Sequence, residues 1–148
     1  MLNPFSYFYI PEQELNNNLI SIFRDYQIIE YYLKWMYSYM HRGNINKNYK
    51  YVKDKTLGNV VSLLKKLDNS DNRPLLSAND YFYLKEMTKT RNYYIHSFFI
   101  DYLYAEHHKN YDDCKDLYNK LKSNKNEIHG MCENIYKIYS EIAEYYNR

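Results

Sequence analysis

Two long stretches of regularly spaced apolar residues constrain the fold of this chain most strongly. In the first, which begins near Glu12, apolar residues recur at alternating steps of four and three. This spacing places them on one side of an α-helix and is typical of the seam of a left-handed helical bundle. The pattern predicts a helix of about thirty residues that Gly43 terminates after Arg42. Its apolar seam consists of Leu15, Leu19, Ile22, Tyr26, Ile29, Leu33, Met36 and Met40.

The second stretch lies near the end of the chain and has the same heptad-like spacing. Asn110 or Asp112 is expected to cap this helix at its amino end. Gly130 lies inside it and is expected to weaken it by roughly 1 kcal/mol relative to alanine. The seam consists of Cys114, Leu117, Leu121, Ile128, Cys132, Ile135, Tyr139, Ile142 and Tyr146.

Two further helices are expected between these two. Thr56 is a suitable cap for a short helix with an apolar face. Ser77 followed by Asp80 resembles a capping box and predicts the start of a third long helix, which runs to about Lys109. Residues 68–74 are rich in turn formers and are expected to separate the short helix from the long one.

The remaining segments carry weaker signals. Residues 1–11 are aromatic, end at Pro11 and are expected to form a short irregular lead-in. Residues 44–55 are basic and rich in tyrosine. We interpret them as a solvated linker. The alternative is an RNA-facing loop, in which lysines follow the phosphates and tyrosines stack on bases.

Helix breakers are almost absent, with three glycines and three prolines in 148 residues. Together with the two seams, this predicts an all-α fold. We expect a single domain that spans residues 1–148, an up-and-down bundle of three long helices and one short helix.

Charge and hydropathy exclude several classes of protein. The formal net charge is +2, which is too small for a global field that recruits nucleic acid, so any such binding needs a local patch. No apolar run approaches the roughly 20 residues of a membrane span, and no signal peptide is expected. We therefore expect a soluble, cytoplasmic protein.

Cysteine and histidine do not indicate a metal or disulfide framework. Cys114 and Cys132 both fall on an apolar helix face, which is typical of small, reduced core residues. His107 and His108 precede Cys114, but this group lacks a fourth ligand, and we interpret the pair as the end of a helix. His41 is interpreted in the same way. We expect no metal and no cofactor.

The strongest candidate for a functional site lies inside the third long helix. Arg91 falls in the middle of an apolar stripe, where a guanidinium is rarely tolerated unless it is paired or functional. Asn92 and His96 are four residues apart and share the adjacent flank. The stripe itself consists of Leu84, Met87, Thr88, Arg91, Ile95, Phe98 and Tyr102.

These side chains are suited to cleavage of RNA by its own 2′-hydroxyl. Arg91 can donate to two phosphate oxygens at once and keeps its charge. His96 is suited to proton transfer, and Asn92 can orient it or bind a phosphate oxygen. One helix offers one histidine, so two copies related by a two-fold axis would share the roles of acid and base. Lys85 and Lys89 are candidates for guiding the RNA backbone.

The segment Arg91-Asn92 followed by three residues and His96 resembles the motif of the HEPN superfamily. The run of residues 56–67 is also similar to the short second helix of many HEPN proteins. The resemblance implies a metal-independent, dimeric endoribonuclease with a composite site. It also implies a toxin or effector in toxin–antitoxin, abortive-infection or other defence systems, with an antitoxin protein as a possible partner. Phe98 stands where toxins that are controlled by nucleotidyl transfer often carry a tyrosine.

Three alternatives stay open at this point. Arg91 can pair with a buried acid such as Glu30 or Asp25, in which case it is structural. The protein can also be a non-catalytic helical dimer that binds a partner protein or a nucleotide. The third alternative is an antitoxin or inhibitor bundle.

Overall fold

The fold is built from helices of very different lengths. The computed structural model describes residues 10–70 and 74–146, and within these ranges it contains helices and no strand, which confirms the all-α prediction. The expected lead-in before Pro11 and part of the turn after Asp68 lie outside the described residues. The helices are α1 (Glu12–Met40), α2 (Ile45–Val52), α3 (Leu57–Asn69), α4 (Ala78–His96), α5 (Phe98–His107) and α6 (Tyr111–Tyr146).

Helices α1 and α6 form the long axis of the bundle and pack against each other. The predicted seam of α1 is buried from Leu15 to Met36, and Met40 is partly buried. The seam of α6 is buried or partly buried as far as Ile142, whereas Tyr146 is exposed. Polar contacts join the same two helices, because Asp25 accepts a hydrogen bond from His129 at 3.1 Å and Glu14 accepts one from Tyr118.

The predicted helix starts are confirmed by their caps. Thr56 accepts a hydrogen bond from the backbone of Asn59 at 3.4 Å. Ser77 and Asp80 form a complete capping box, with distances of 3.1 and 3.0 Å. Asn110 caps α6 by accepting from the backbone N–H of Asp113 at 3.2 Å. These contacts satisfy amide groups that the first turn of a helix leaves without partners.

A buried carboxylate fixes the connection from α3 to α4. Asp68 is buried at the end of α3 and accepts from the backbone N–H groups of Leu75 and Leu76 at 2.8 and 3.0 Å. It also accepts from the hydroxyl of Tyr81 at 2.6 Å. A buried carboxylate with three donors is well satisfied, so it holds the start of α4 against the end of α3.

Residues 45–52 form helix α2 instead of the linker that we expected. Asn44 caps it by accepting from the backbone N–H of Lys47 at 3.0 Å. Tyr49 stacks on Trp35 of α1 with ring centroids 4.1 Å apart, and Val52 is fully buried. The prediction of a solvated linker was therefore wrong, because tertiary contacts with α1 stabilise a helix that is too short to be stable alone.

The third long helix is divided into α4 and α5. Ser97 has φ −127° and ψ −27°, which interrupts the helical geometry. The change of direction leaves Phe98, Tyr102 and Ala105 buried as α5 packs against α6. The break makes α4 and α5 separate helices, and α2 is a further short helix. The described part of the chain therefore contains more short helices than the single one that we predicted.

The remaining sequence predictions concern cysteines, histidines and the membrane. Cys114 and Cys132 are buried free thiols, as expected. His108 lies at the end of α5, where its Nδ1 is 2.9 Å from the carbonyl oxygen of Tyr104. Within the described ranges, no cluster of three or more His, Cys, Asp or Glu side chains is arranged to hold a metal. None of the described helices has both the length and the apolar character needed to cross a membrane.

Candidate functional site around helix α4

Helix α4 carries the predicted site residues in two different directions. Arg91 is half-buried and lines a cleft against α1, whereas Asn92 and His96 are exposed. At 3.6 residues per turn, Arg91 and His96 point about 140° apart around the helix axis. The structure therefore brings Asn92 and His96 to one surface of a single chain and leaves Arg91 on another.

One exposed face of α4 collects four of the predicted residues: Lys85, Lys89, Asn92 and His96, which we call the α4 polar face. They are spaced four, three and four residues apart, so they share one side of the helix. Lys89 lies 3.1 Å from Glu86 in an exposed ion pair. The other three make no hydrogen bond or ion pair within residues 10–70 and 74–146, so their polar ends are available to a ligand.

Arg91 does not have the acidic partner that we considered for it. Glu30 lies 3.4 Å from Lys34, and Asp25 lies 3.1 Å from His129. Neither of these acids pairs with Arg91, so the alternative of a structural ion pair with them was wrong. The Nε of Arg91 is buried and has no hydrogen-bond partner in the described part of the chain. An unpaired buried donor on a charged group costs free energy, which a bound anion would recover.

The cleft at Arg91 has a volume of about 700 Å³. Its walls are α1, the connection from α2 to α3, and α4. Cationic side chains dominate its charged lining, with four cations beside the carboxylates of Glu30 and Asp54. The cations are Lys34, Lys53, Lys55 and Arg91.

One of these cations is already engaged by the fold. Lys34 donates to the backbone carbonyl of Lys53 at 2.6 Å, in addition to its contact with Glu30. It therefore ties α1 to the end of α2. Lys55 lies with its Nζ 4.6 Å from the centre of the Tyr51 ring and has no carboxylate partner among the described ion pairs. The charge that remains available in the cleft thus comes mainly from Lys53, Lys55 and Arg91.

Tyr26 also lines the same cleft. The residue is 2% exposed, and its hydroxyl is hydrogen-bonded to the side chain of Thr90. Burial raises the pKa of Tyr26, with a further increase from Tyr94, and both Arg91 and the hydrogen bond to Thr90 partly oppose this increase. The hydroxyl consequently stays protonated at neutral pH and is a neutral donor beside a guanidinium.

Sequence reasoning missed Tyr26, Lys53 and Lys55 as parts of one cleft. Tyr26 was assigned to the seam of α1, which is correct but incomplete. Lys53 and Lys55 were placed in a linker. The available signal was the concentration of lysines just before the Thr56 cap, because a helix amino end and nearby cations both attract anions.

No family model, no curated protein and no solved structure matches the chain.

Proposed function

We propose that the protein is a metal-independent endoribonuclease of the HEPN type. The observation that carries the proposal is the α4 polar face, where His96 is exposed and unpaired beside Asn92 and two lysines. The unpaired guanidinium of Arg91 on the same helix supports it further. Histidine, asparagine and cations are the groups that a metal-free cleavage of RNA requires.

The proposed reaction is an internal displacement at phosphorus. An imidazole accepts the proton of the 2′-hydroxyl, and the 2′-oxygen forms a bond to the adjacent phosphorus. The bond from phosphorus to the 5′-oxygen breaks, and that oxygen takes a proton from a second imidazole. The products are a 2′,3′-cyclic phosphate and a 5′-hydroxyl. Asn92 orients the imidazole, and Lys85 and Lys89 guide the backbone. Arg91 lies on another side of α4 within one chain, so in a composite site it would stabilise the charge on the phosphate from the motif of the facing copy.

The need for two imidazoles supports a homodimer. Each chain contributes one histidine to the α4 polar face, so a second copy would supply the other. Large apolar side chains are exposed next to His96, at Ile95, Phe99 and Ile100. An exposed apolar surface of this kind suits contact with another subunit. Such a nuclease would act in the cytoplasm as a toxin or defence effector, with an antitoxin protein as its natural inhibitor.

An RNA-cleavage assay in excess chelator tests this proposal. Wild type is expected to cut RNA and to leave 2′,3′-cyclic phosphate and 5′-hydroxyl ends. His96→Ala is expected to lower the rate by at least a hundredfold, the usual contribution of a general acid or base. His107→Ala is the matched control, because His107 is another exposed histidine at the end of a helix. Equal cleavage by His96→Ala and wild type would refute the assignment. No cleavage by a folded, dimeric wild type would favour the non-catalytic binding alternative.

A further inference from the structure

We propose that the cleft at Arg91 is a binding site for a small phosphate monoester. The assignment shares Arg91 with the proposed nuclease and is otherwise independent of it. It concerns a free small molecule held between α1 and the connection from α2 to α3. The cleavage site on the α4 polar face lies on a different side of α4.

The first argument is that the guanidinium beside the cleft has an unpaired donor. The Nε of Arg91 is buried and has no hydrogen-bond partner in the described part of the chain. Buried donors of this kind are uncommon, because each one forgoes the hydrogen bonds that it made to water. Arg91 lines the cleft, so an anion placed there would give the guanidinium a partner of opposite charge.

The second argument is electrostatic. The cleft is lined by three available cations: Lys53, Lys55 and Arg91. Of its two lining carboxylates, Glu30 already contacts Lys34, which leaves Asp54. The amino end of α3 begins beside Thr56, which also lines the cleft. Its first-turn amides add positive partial charge at the same place. A group with two negative charges and several acceptor oxygens fits this environment, and a guanidinium fork matches phosphate geometry.

The third argument concerns the size and the apolar part of the cleft. Its volume of about 700 Å³ is suited to a small organic molecule and is larger than a phosphate ion needs. Phe23 and Ile95 supply apolar wall next to the charged region. The organic part of a monoester would cover these side chains, which water otherwise contacts. We therefore assign a phosphorylated organic molecule in preference to inorganic phosphate.

Calorimetric titration of the full chain with phenyl phosphate tests the proposal. Wild type is expected to bind it, and more tightly than inorganic phosphate because of the apolar wall. Arg91→Gln, which removes the charge, is expected to weaken binding about tenfold or more. Lys53→Ala is expected to weaken it less, and Lys50→Ala is the matched control because Lys50 is exposed on α2 and does not line the cleft.

Lys55→Ala adds a second cleft variant that should fold, because Lys55 is partly exposed and has no ion pair among the described residues. It is expected to weaken phenyl phosphate binding severalfold. Unchanged binding by both Arg91→Gln and Lys55→Ala would overturn the assignment, as would no binding by folded wild type at millimolar phenyl phosphate. Equal affinities for phenyl phosphate and inorganic phosphate would overturn the assignment to a monoester.

His96→Ala separates this proposal from the proposed nuclease. The variant is expected to bind phenyl phosphate as wild type does, since His96 does not line the cleft. If wild type cuts no RNA but binds phenyl phosphate through Arg91, the nuclease fails and the cleft assignment stands. If RNA is cut and phenyl phosphate is not bound, the cleft assignment fails alone.

Discussion

Two buried tyrosines should respond by different amounts to the same substitution. Tyr26 and Tyr81 are 2% and 3% exposed, and each presents its ring to the core. They differ in the hydrogen-bond partner of the hydroxyl. The hydroxyl of Tyr81 donates to the carboxylate of Asp68 at 2.6 Å, whereas that of Tyr26 is hydrogen-bonded to the uncharged side chain of Thr90. Replacement by phenylalanine removes this hydroxyl and leaves the ring in place.

The expected magnitudes follow from the charge of the hydrogen-bond partner. A hydrogen bond between neutral groups contributes about 0.5–1.5 kcal/mol, so Tyr26→Phe should lower the free energy of unfolding by about 1 kcal/mol. Tyr81→Phe should lower it by about 1.5–3 kcal/mol, because it removes a hydrogen bond to the buried carboxylate of Asp68. In a domain of this size, 1 kcal/mol corresponds to about 2–4 °C in melting temperature.

Urea denaturation followed by circular dichroism would measure both variants against wild type at neutral pH. Equal slopes with denaturant would show that only stability has changed. Both variants should be less stable than wild type, and Tyr81→Phe should lose about twice as much as Tyr26→Phe. A loss in Tyr26→Phe as large as that in Tyr81→Phe would refute the reasoning, since the charge on Asp68 would then add nothing to the hydrogen bond of Tyr81.

Two further predictions concern stability. Gly130→Ala should stabilise α6 by about 0.5–1 kcal/mol in a urea melt, because an added Cβ meets no atom within 4 Å and alanine restricts the unfolded chain; a loss of stability would contradict this. Burial raises the pKa of Tyr102 to about 12, whereas an unfolded tyrosine loses its proton near pH 10. The contribution of Tyr102 to the free energy of unfolding should therefore be constant below pH 10 and fall between about pH 10 and 12, by at most about 1.4 kcal/mol per pH unit. A pH series of urea melts with Tyr102→Phe as control would detect it, and an identical decline in that variant would exclude Tyr102 as a source.

The long helices could be predicted because their information is local. Alternating steps of four and three over many residues determine which side of α1 and α6 is buried, and few breakers interrupt them. The caps at Thr56, Ser77 and Asn110 are local too, since each contact spans three residues. Such signals do not depend on tertiary contacts with the rest of the chain.

Helix α2 could not be predicted because its stability comes from distant residues. It has only eight residues, and helices this short are marginal in isolation. Asn48 donates to the carbonyl oxygens of Ser38 and His41 at 3.1 and 3.0 Å, which ties the helix to the end of α1. Stacking of Tyr49 on Trp35 adds a second tie. Neither contact can be predicted from the local sequence, because both form only after the chain turns back at Gly43.

The helical period predicted the burial of the candidate site residues but only part of their geometry. It placed Asn92 and His96 on one exposed flank and Arg91 in a seam, and both placements agree with their burial in the structure. It did not reveal that the seam opens at Arg91 into a cleft. That opening depends on where the connection containing Lys53 and Lys55 lies, which is set by the folding of α2 against α1.

The break at Ser97 explains why the apolar stripe predicted for the third helix is not buried along its whole length. An unbroken helix would keep Ile95, Phe98 and Tyr102 on one buried side. In the structure Phe98 and Tyr102 are buried on α5, whereas Ile95 is 48% exposed at the end of α4. Ile95 is therefore an exposed apolar side chain between the cleft and His96. If both proposals hold, Ile95 would be covered by the phosphate monoester on one side and by the second subunit on the other.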